Sequence, residues 1–380
     1  MKKKILYLSR LDPNDIKSWS GVTQHIQTAL KKNFEVITVG PLSNRVRVFY
    51  ILKRFFYSFF KIKFDIDRPI LVAKDFAHQI KKKIKNISYD AVLTSDSYLL
   101  SFFDTNKPCF IFVDVLFSTY YSHYFTDIKI HRKTLQEGNY CQKIALDKAN
   151  KVILTSRWAI KDAIKSYKIK PHKLNYLPFG PSLKFIPRTS DIKKAITKKN
   201  FDICKLVSVG VHWDRKGMDK AVSVVAEMNK IGHKTILYII GAKPPKNFSN
   251  SKNVIIVDFL DKNIPKDLKI LKNFFYKAHF NLLFSKSEAF GVVNVEASAF
   301  GLYTITNNVG GIDGAITNNV NGYMFGVNHP APDIAAHILK IFTNKKTFFQ
   351  KSIMSRNQYD KKLKWDRISQ KLCKIIKKNI

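Results

Sequence analysis

Along the chain, short runs of β-branched and aromatic residues alternate with segments long enough for a helix, the pattern of parallel sheets with crossover helices. In the first half the runs predict strands at Ile5 to Ser9, Val36 to Val39, Ala91 to Thr94, Cys109 to Val113 and Val152 to Thr155. In the second half they predict strands at Leu206 to Val209, Ile236 to Ile240, Val254 to Val257, Asn281 to Phe284 and Tyr303 to Thr306. Between the halves, Pro178-Phe179-Gly180-Pro181, Arg188-Thr189-Ser190 and a lysine-rich stretch read as a linker. The expected organisation is an α/β chain with domains at 1–185 and 186–360 and a final helical segment at 361–380. Each half reads as a doubly wound sheet, so ligands are expected at the carboxyl ends of the strands, in a cleft between the two domains.

Composition sharpens this picture. A length of 380 residues exceeds one ordinary core, and 45% hydrophobic with 25% charged residues excludes a mainly disordered or collagen-like chain. Cys109, Cys141, Cys204 and Cys373 are far apart with no C-x-x-C, which points to reduced, buried thiols rather than a disulfide framework or a zinc site. Behind Lys2-Lys3-Lys4 the apolar run Ile5 to Leu8 is too short for a signal-peptide core, and no stretch approaches the ~20 apolar residues of a spanning helix. The expected location is the cytoplasm, with peripheral attachment to the inner face of the membrane left open.

The net charge is +38, from 66 Lys+Arg against 28 Asp+Glu. A nucleic-acid partner, an anionic membrane surface and a lysine-rich coding bias all account for such a surplus, and composition does not choose among them.

Three stretches carry chemistry. In Ser285-Lys286-Ser287-Glu288-Ala289-Phe290-Gly291-Val292-Val293-Asn294-Val295-Glu296-Ala297, two carboxylates eight positions apart bracket a glycine between a strand and a helix. A helix start there offers backbone N–H groups and a positive dipole end to an anion, which suits a phosphate-linked sugar. Glu288 would sit at the helix mouth beside the reacting sugar and Glu296, one or two turns in, would reach a ribose hydroxyl pair; two solvated helix glutamates are the plainer alternative. In Gly210-Val211-His212-Trp213-Asp214-Arg215-Lys216-Gly217-Met218, Arg215 and Lys216 can serve a diphosphate whose charge develops as it leaves, or form an exposed basic turn. The paired glycines of Asn307-Asn308-Val309-Gly310-Gly311, and Gly21 in Ser18-Trp19-Ser20-Gly21, let a backbone approach a ligand closely. No G-x-G-x-x-G, G-x-x-x-x-G-K-[ST] or H-E-x-x-H is present, so nicotinamide-cofactor, P-loop and zincin chemistries lose their usual support. Asp65-x-Asp67 is read as a chance match to a metal motif.

Taken together these segments resemble the two-domain GT-B glycosyltransferases, specifically the retaining family 4 type (glycosyl transferases group 1), over most of the chain. The resemblance rests on Glu288-x7-Glu296, Arg215-Lys216-Gly217, Ala297-x-Ala299-x-Gly301 and Gly310-Gly311 in family order and spacing, with Trp19-Ser20-Gly21, Ser156-x-Trp158-Ala159 and Pro178-Phe179-Gly180 in the first half. It implies two Rossmann-like domains facing across a cleft, with the last helix crossing back to the first domain. It also implies transfer of a glycosyl group from a nucleotide sugar to a glycan or lipid-linked acceptor with retention of configuration, no metal or other cofactor being required. Residue by residue, it places Glu288 near the reacting centre, Glu296 on the ribose, and Arg215, Lys216, Gly21 and the amides of Gly291 and Val292 on the diphosphate. Two positions depart from the family: Val211 stands where an arginine is common, and Asp114, taken with Glu288 and Lys216 as the catalytic candidates, stands where a histidine is common, with His123 nine positions on.

Asn44 to Phe64 interleaves Arg45, Arg47, Lys53, Arg54, Lys61 and Lys63 with aromatic and aliphatic residues and contains no acid. An interfacial helix on an anionic membrane and a core helix with lysine-decorated edges both fit, and a stacking platform for single-stranded nucleic acid fits less well because no such module accompanies it. The expected role is extension of a bacterial surface glycan or glycolipid. A nucleotide-sugar epimerase of the same architecture, a charge-driven nucleic-acid-binding protein and a catalytically weak partner subunit are the rivals.

Overall fold

Leu6, Leu8, Val92, Ile111 and Leu154 are fully buried, as expected for strands of a parallel sheet covered by helices on both faces. The structure, a computed structural model, describes residues 2–15, 18–246, 248 and 251–380. In the first half the strands are β1 (Lys4–Leu8), β2 (Glu35–Val39), β3 (Ile62–Lys63), β4 (Ala91–Thr94), β5 (Cys109–Val113), β6 (Lys129–Ile130), β7 (Lys151–Leu154) and β8 (Leu174–Tyr176). The second half holds β9 (Cys204–Val209), β10 (Thr235–Ile240), β11 (Val254–Val257), β12 (Phe280–Leu283), β13 (Tyr303–Asn307) and β14 (Gly322–Phe325). All ten predicted strands are present, with bounds displaced by at most two residues. The strands β3, β6 and β8 are only two or three residues long, and β14 (Gly322-Tyr323-Met324-Phe325) has no β-branched residue, so none of the four was read from the sequence.

Two six-stranded parallel sheets result, ordered β2-β1-β4-β5-β7-β8 and β11-β10-β9-β12-β13-β14. The second is the doubly wound order of a Rossmann sheet, and the first is a variant in which the order turns at β1/β4. The chain divides into one unit of residues 1–179 with 365–380 and another of residues 180–364. In the first unit the last helix, Trp365–Lys377, packs on helix Val22–Lys31: the Trp365 ring stacks on His25 at 5.4 Å and Ser369 Oγ donates to the Ala29 carbonyl at 2.6 Å. In the second unit the Arg356 guanidinium is buried and tied to Asp360, Thr189 and the carbonyls of Pro187 and Ala299.

His279, just before β12, shows how burial couples this unit to pH. Its Nδ1 accepts from the Lys205 N–H at 3.0 Å and its Nε2 lies 2.9 Å from the Asn200 carbonyl oxygen. Burial, reinforced by Lys199, pushes the imidazole from its usual 6.5 down to about 3. The unfolded chain therefore binds a proton that the folded one refuses between pH 6.5 and about 3, and stability falls as the pH drops through that window. Urea unfolding of His279→Asn should show a shallower loss across it, with a contribution on the order of a few kcal/mol removed.

Candidate active site

In the second sheet the strand order reverses between β9 and β12, so the loops after these two strands diverge and leave a crevice at their carboxyl ends. Arg215 and Lys216 lie on the loop after β9, and Glu288 on the loop after β12. The sequence separates them by more than seventy residues, and the sheet brings them together. Lys216 Nζ donates to Glu288 Oε2 at 2.5 Å, Ser285 Oγ donates to the same oxygen at 3.2 Å, and Arg215 Nη1 lies 3.9 Å from it. Arg215 also donates to the Ser287 carbonyl at 3.2 Å, and the Lys286 N–H donates to the Arg215 carbonyl at 2.8 Å, which ties the two loops by backbone as well as by charge.

Lys216 and Glu288 are each 8% exposed. Burial alone would push the Glu288 carboxyl upward, but Lys216, Arg215 and Ser285 outweigh it and hold the group below the usual carboxylate range. Glu288 is thus held as a carboxylate against Lys216 in a largely dry place, where electrostatic interactions are strong. The plainer alternative for Glu288, a solvated helix glutamate, does not describe this environment.

Two glycines make the close approach possible. Gly217 has φ +64°, and a Cβ there would fall 2.1 Å from the Phe284 carbonyl oxygen, so a larger residue would force the β9 loop away from β12. Gly291 has φ +79° and caps helix Val292–Ala299, the short helix that carries Glu296. The amides at this start, Val292 first, have no partner within the helix and present a positive end to an anion. The glycine pair is drawn in too: the Gly311 N–H donates to the Glu288 carbonyl at 3.0 Å.

Glu296 is completely buried. Its Oε1 accepts from Ser182 Oγ at 2.6 Å, the Ser182 N–H at 3.2 Å and Lys262 Nζ at 2.6 Å. Its Oε2 has no hydrogen-bond partner. A buried carboxylate oxygen left open is costly, and it is suited to receive a hydroxyl from a bound molecule. Ser182 and Lys262 were not singled out in the sequence: one lysine among so many carries no signal, and it lies 34 positions from its carboxylate. Val211, at the position where the family commonly has arginine, is exposed.

Gly21 and Asp114 belong to the first unit. Gly21 has φ +76° and caps helix Val22–Lys31, and Trp19 and Ser20 before it also take left-handed conformations. Asp114 follows β5 and lines a cavity of about 300 Å³ with Arg10, Trp19, Arg68, Asp96 and Ser97, at the carboxyl ends of β1, β4 and β5. His123 sits on helix Phe117–Tyr124 with its ring 4.9 Å from that of Trp158. Among the described residues no group of three or more His, Cys, Asp or Glu side chains is arranged to hold a metal ion.

Residues 189–361 match the family described as glycosyl transferases group 1. The matched span lies within the second unit. An uncharacterised glycosyltransferase of Methanocaldococcus jannaschii is 24% identical over 235 residues, 61% of this chain and 60% of the relative. Among solved structures, a sucrose-phosphate synthase of Thermosynechococcus elongatus aligns with TM-score 0.69 and 16% identity over 99% of both chains. The Anabaena HepE protein, solved in complex with UDP, aligns with TM-score 0.64 and 14% identity over 100% of both chains. These likenesses show the fold, the GT-B type built from two Rossmann-like domains.

Proposed function

We propose that this protein transfers a glycosyl group from a nucleotide sugar to a glycan or lipid-linked acceptor, with retention of anomeric configuration, in the synthesis of a bacterial surface polysaccharide or glycolipid at the inner side of the cytoplasmic membrane. The observation that carries the reading is the buried Lys216–Glu288 pair at the carboxyl ends of β9 and β12, beside an open helix start. Lys216, Arg215 and the amides at Gly291 and Val292 are the groups that meet a diphosphate, and Glu296 Oε2 is the acceptor for a ribose hydroxyl.

In the reaction, the bond between the anomeric carbon and the diphosphate oxygen breaks, and the electron pair leaves with the nucleoside diphosphate. The cations and the helix start stabilise that departing charge, so no metal is required. Glu288 stays ionised and lies beside the sugar, where a carboxylate favours the oxocarbenium-like centre. The acceptor hydroxyl bonds to the same face of that carbon and passes its proton to the leaving phosphate oxygen. In the first unit, Gly21 leaves its backbone open to the close approach of a phosphate. Asp114 and its cavity of hydroxyl, carboxylate and guanidinium groups, with the Trp19 ring, suit the hydroxyls of an acceptor sugar.

Thermal unfolding of the purified chain with UDP-, GDP-, ADP-, CMP- and dTDP-sugars tests the reading, since a ligand of the folded state raises its melting temperature. One donor is expected to stabilise the protein and to release its nucleoside diphosphate when an acceptor extract is added. No shift with any of them at millimolar concentration would overturn the proposal.

A further inference from the structure

Helix Val48–Phe59 is turned inside out relative to an ordinary surface helix. At ~100° per residue, Tyr50 and Tyr57 share one side, and their rings stack on Phe64 at 6.1 and 5.8 Å, with Tyr57 also 4.2 Å from His131. That side faces the protein. The opposite side presents Val48, Leu52, Phe55, Phe56 and Phe59 to solvent, with Leu52 80% and Phe59 85% exposed, and the helix contains no buried residue. A core helix is therefore excluded. Contiguous apolar surface of this extent marks a docking face rather than scattered exposure.

The borders of the face carry charge of one sign. Lys53 flanks it on one side; on the other, past Ile51 and Ser58, come Arg47 and then Arg54 toward the tyrosine side. Arg47 and Arg54 also line a groove of about 890 Å³ with Asn44, Ser58 and Lys63, and neither guanidinium has a hydrogen bond or ion pair among the described residues. Two carboxylates of that groove are already engaged: Asp67 by Arg10 at 3.2 Å and Asn44 at 2.9 Å, and Asp65 by the Tyr121 hydroxyl. The uncommitted charge of the groove is positive.

The geometry points to insertion of this helix into the interface of an anionic bilayer, with Leu52, Phe55 and Phe59 among the acyl chains and the groove of Arg47, Arg54 and Lys63 on lipid headgroup phosphates. An apolar arc rimmed by cations is complementary to that surface, whereas a second copy would bring like-charged rims together on a chain of net charge +38. The inference stands independently of sugar transfer, because it rests on the helix and its groove alone.

Co-sedimentation of the full chain with phosphatidylcholine vesicles, with and without about 30 mol% phosphatidylglycerol, tests it. Binding is expected only with the anionic lipid and should weaken at about 0.5 M salt. Leu52→Ser/Phe55→Ser/Phe59→Ser should bind at least about tenfold less while keeping the wild-type thermal melt, because the removed groups are exposed. Arg47→Gln/Arg54→Gln should lose preference for the anionic lipid. The inference is overturned if the wild-type chain stays in the supernatant, if the triple variant binds as well as wild type, or if light scattering shows a wild-type dimer that the triple variant abolishes.

Discussion

Lys216→Ala is expected to reduce glycosyl transfer by about a hundredfold to a thousandfold, the usual consequence of deleting one group that stabilises developing negative charge. It acts twice. It removes the cation proposed to meet the departing diphosphate, and it leaves Glu288 buried beside Arg215 at 3.9 Å and Ser285 at 3.2 Å without its ammonium partner. Breaking a buried ion pair from one side typically costs about 3–5 kcal/mol, so the variant should also melt earlier. In the native chain the depressed Glu288 carboxyl contributes stability above its unfolded value, lost as the pH falls through its folded one. Without Lys216, burial dominates and the carboxyl takes up its proton at higher pH, so the variant should lose stability earlier on acidification. Glu288→Gln keeps the shape and deletes the charge, and it is expected to abolish turnover while the chain stays folded. Single-turnover kinetics and urea unfolding at several pH values check both variants. Normal turnover in either would remove the pair from the reaction.

Glu296→Ala is expected to have the second-largest effect, and on binding rather than chemistry. Truncation removes the open Oε2 and strips Lys262 and Ser182 of the carboxylate that accepts from both. The stabilising donor nucleotide sugar should lose about tenfold to a hundredfold in affinity, as expected when a charged hydrogen bond is lost. A stability loss of about 1–3 kcal/mol should accompany it, because the half-buried Lys262 ammonium loses its carboxylate and keeps Ser182 Oγ. The double variant Glu296→Ala/Lys262→Ala should recover part of the stability but none of the affinity. Calorimetric titration with the nucleoside diphosphate and with the bare diphosphate separates the roles. Equal losses for both would mean that Glu296 serves the phosphate rather than the ribose.

Much of the architecture was legible before any coordinates. Buried parallel strands leave continuous runs such as Cys109-Phe110-Ile111-Phe112-Val113, and the glycine between Glu288 and Glu296 announces a strand-to-helix turn. Local chemistry was legible for the same reason: Glu288 and Glu296 lie close in the chain, as do Arg215 and Lys216. By itself, then, the sequence determined the fold class, the strands with enough apolar residues to show, and the stretches able to carry chemistry.

Tertiary structure decided the rest, because it depends on long-range placement. The reversal of strand order at β9/β12 is what sets Lys216 against Glu288. Lys262 reaches Glu296 from a loop that no local pattern distinguishes in a lysine-rich chain. The periodicity of Val48 to Phe59 defines an apolar arc but says nothing about which way it points. The stacking of Tyr50 and Tyr57 on Phe64, with Tyr57 also against His131, turns that arc outward, because a helix rotates to satisfy whichever face its neighbours can cover.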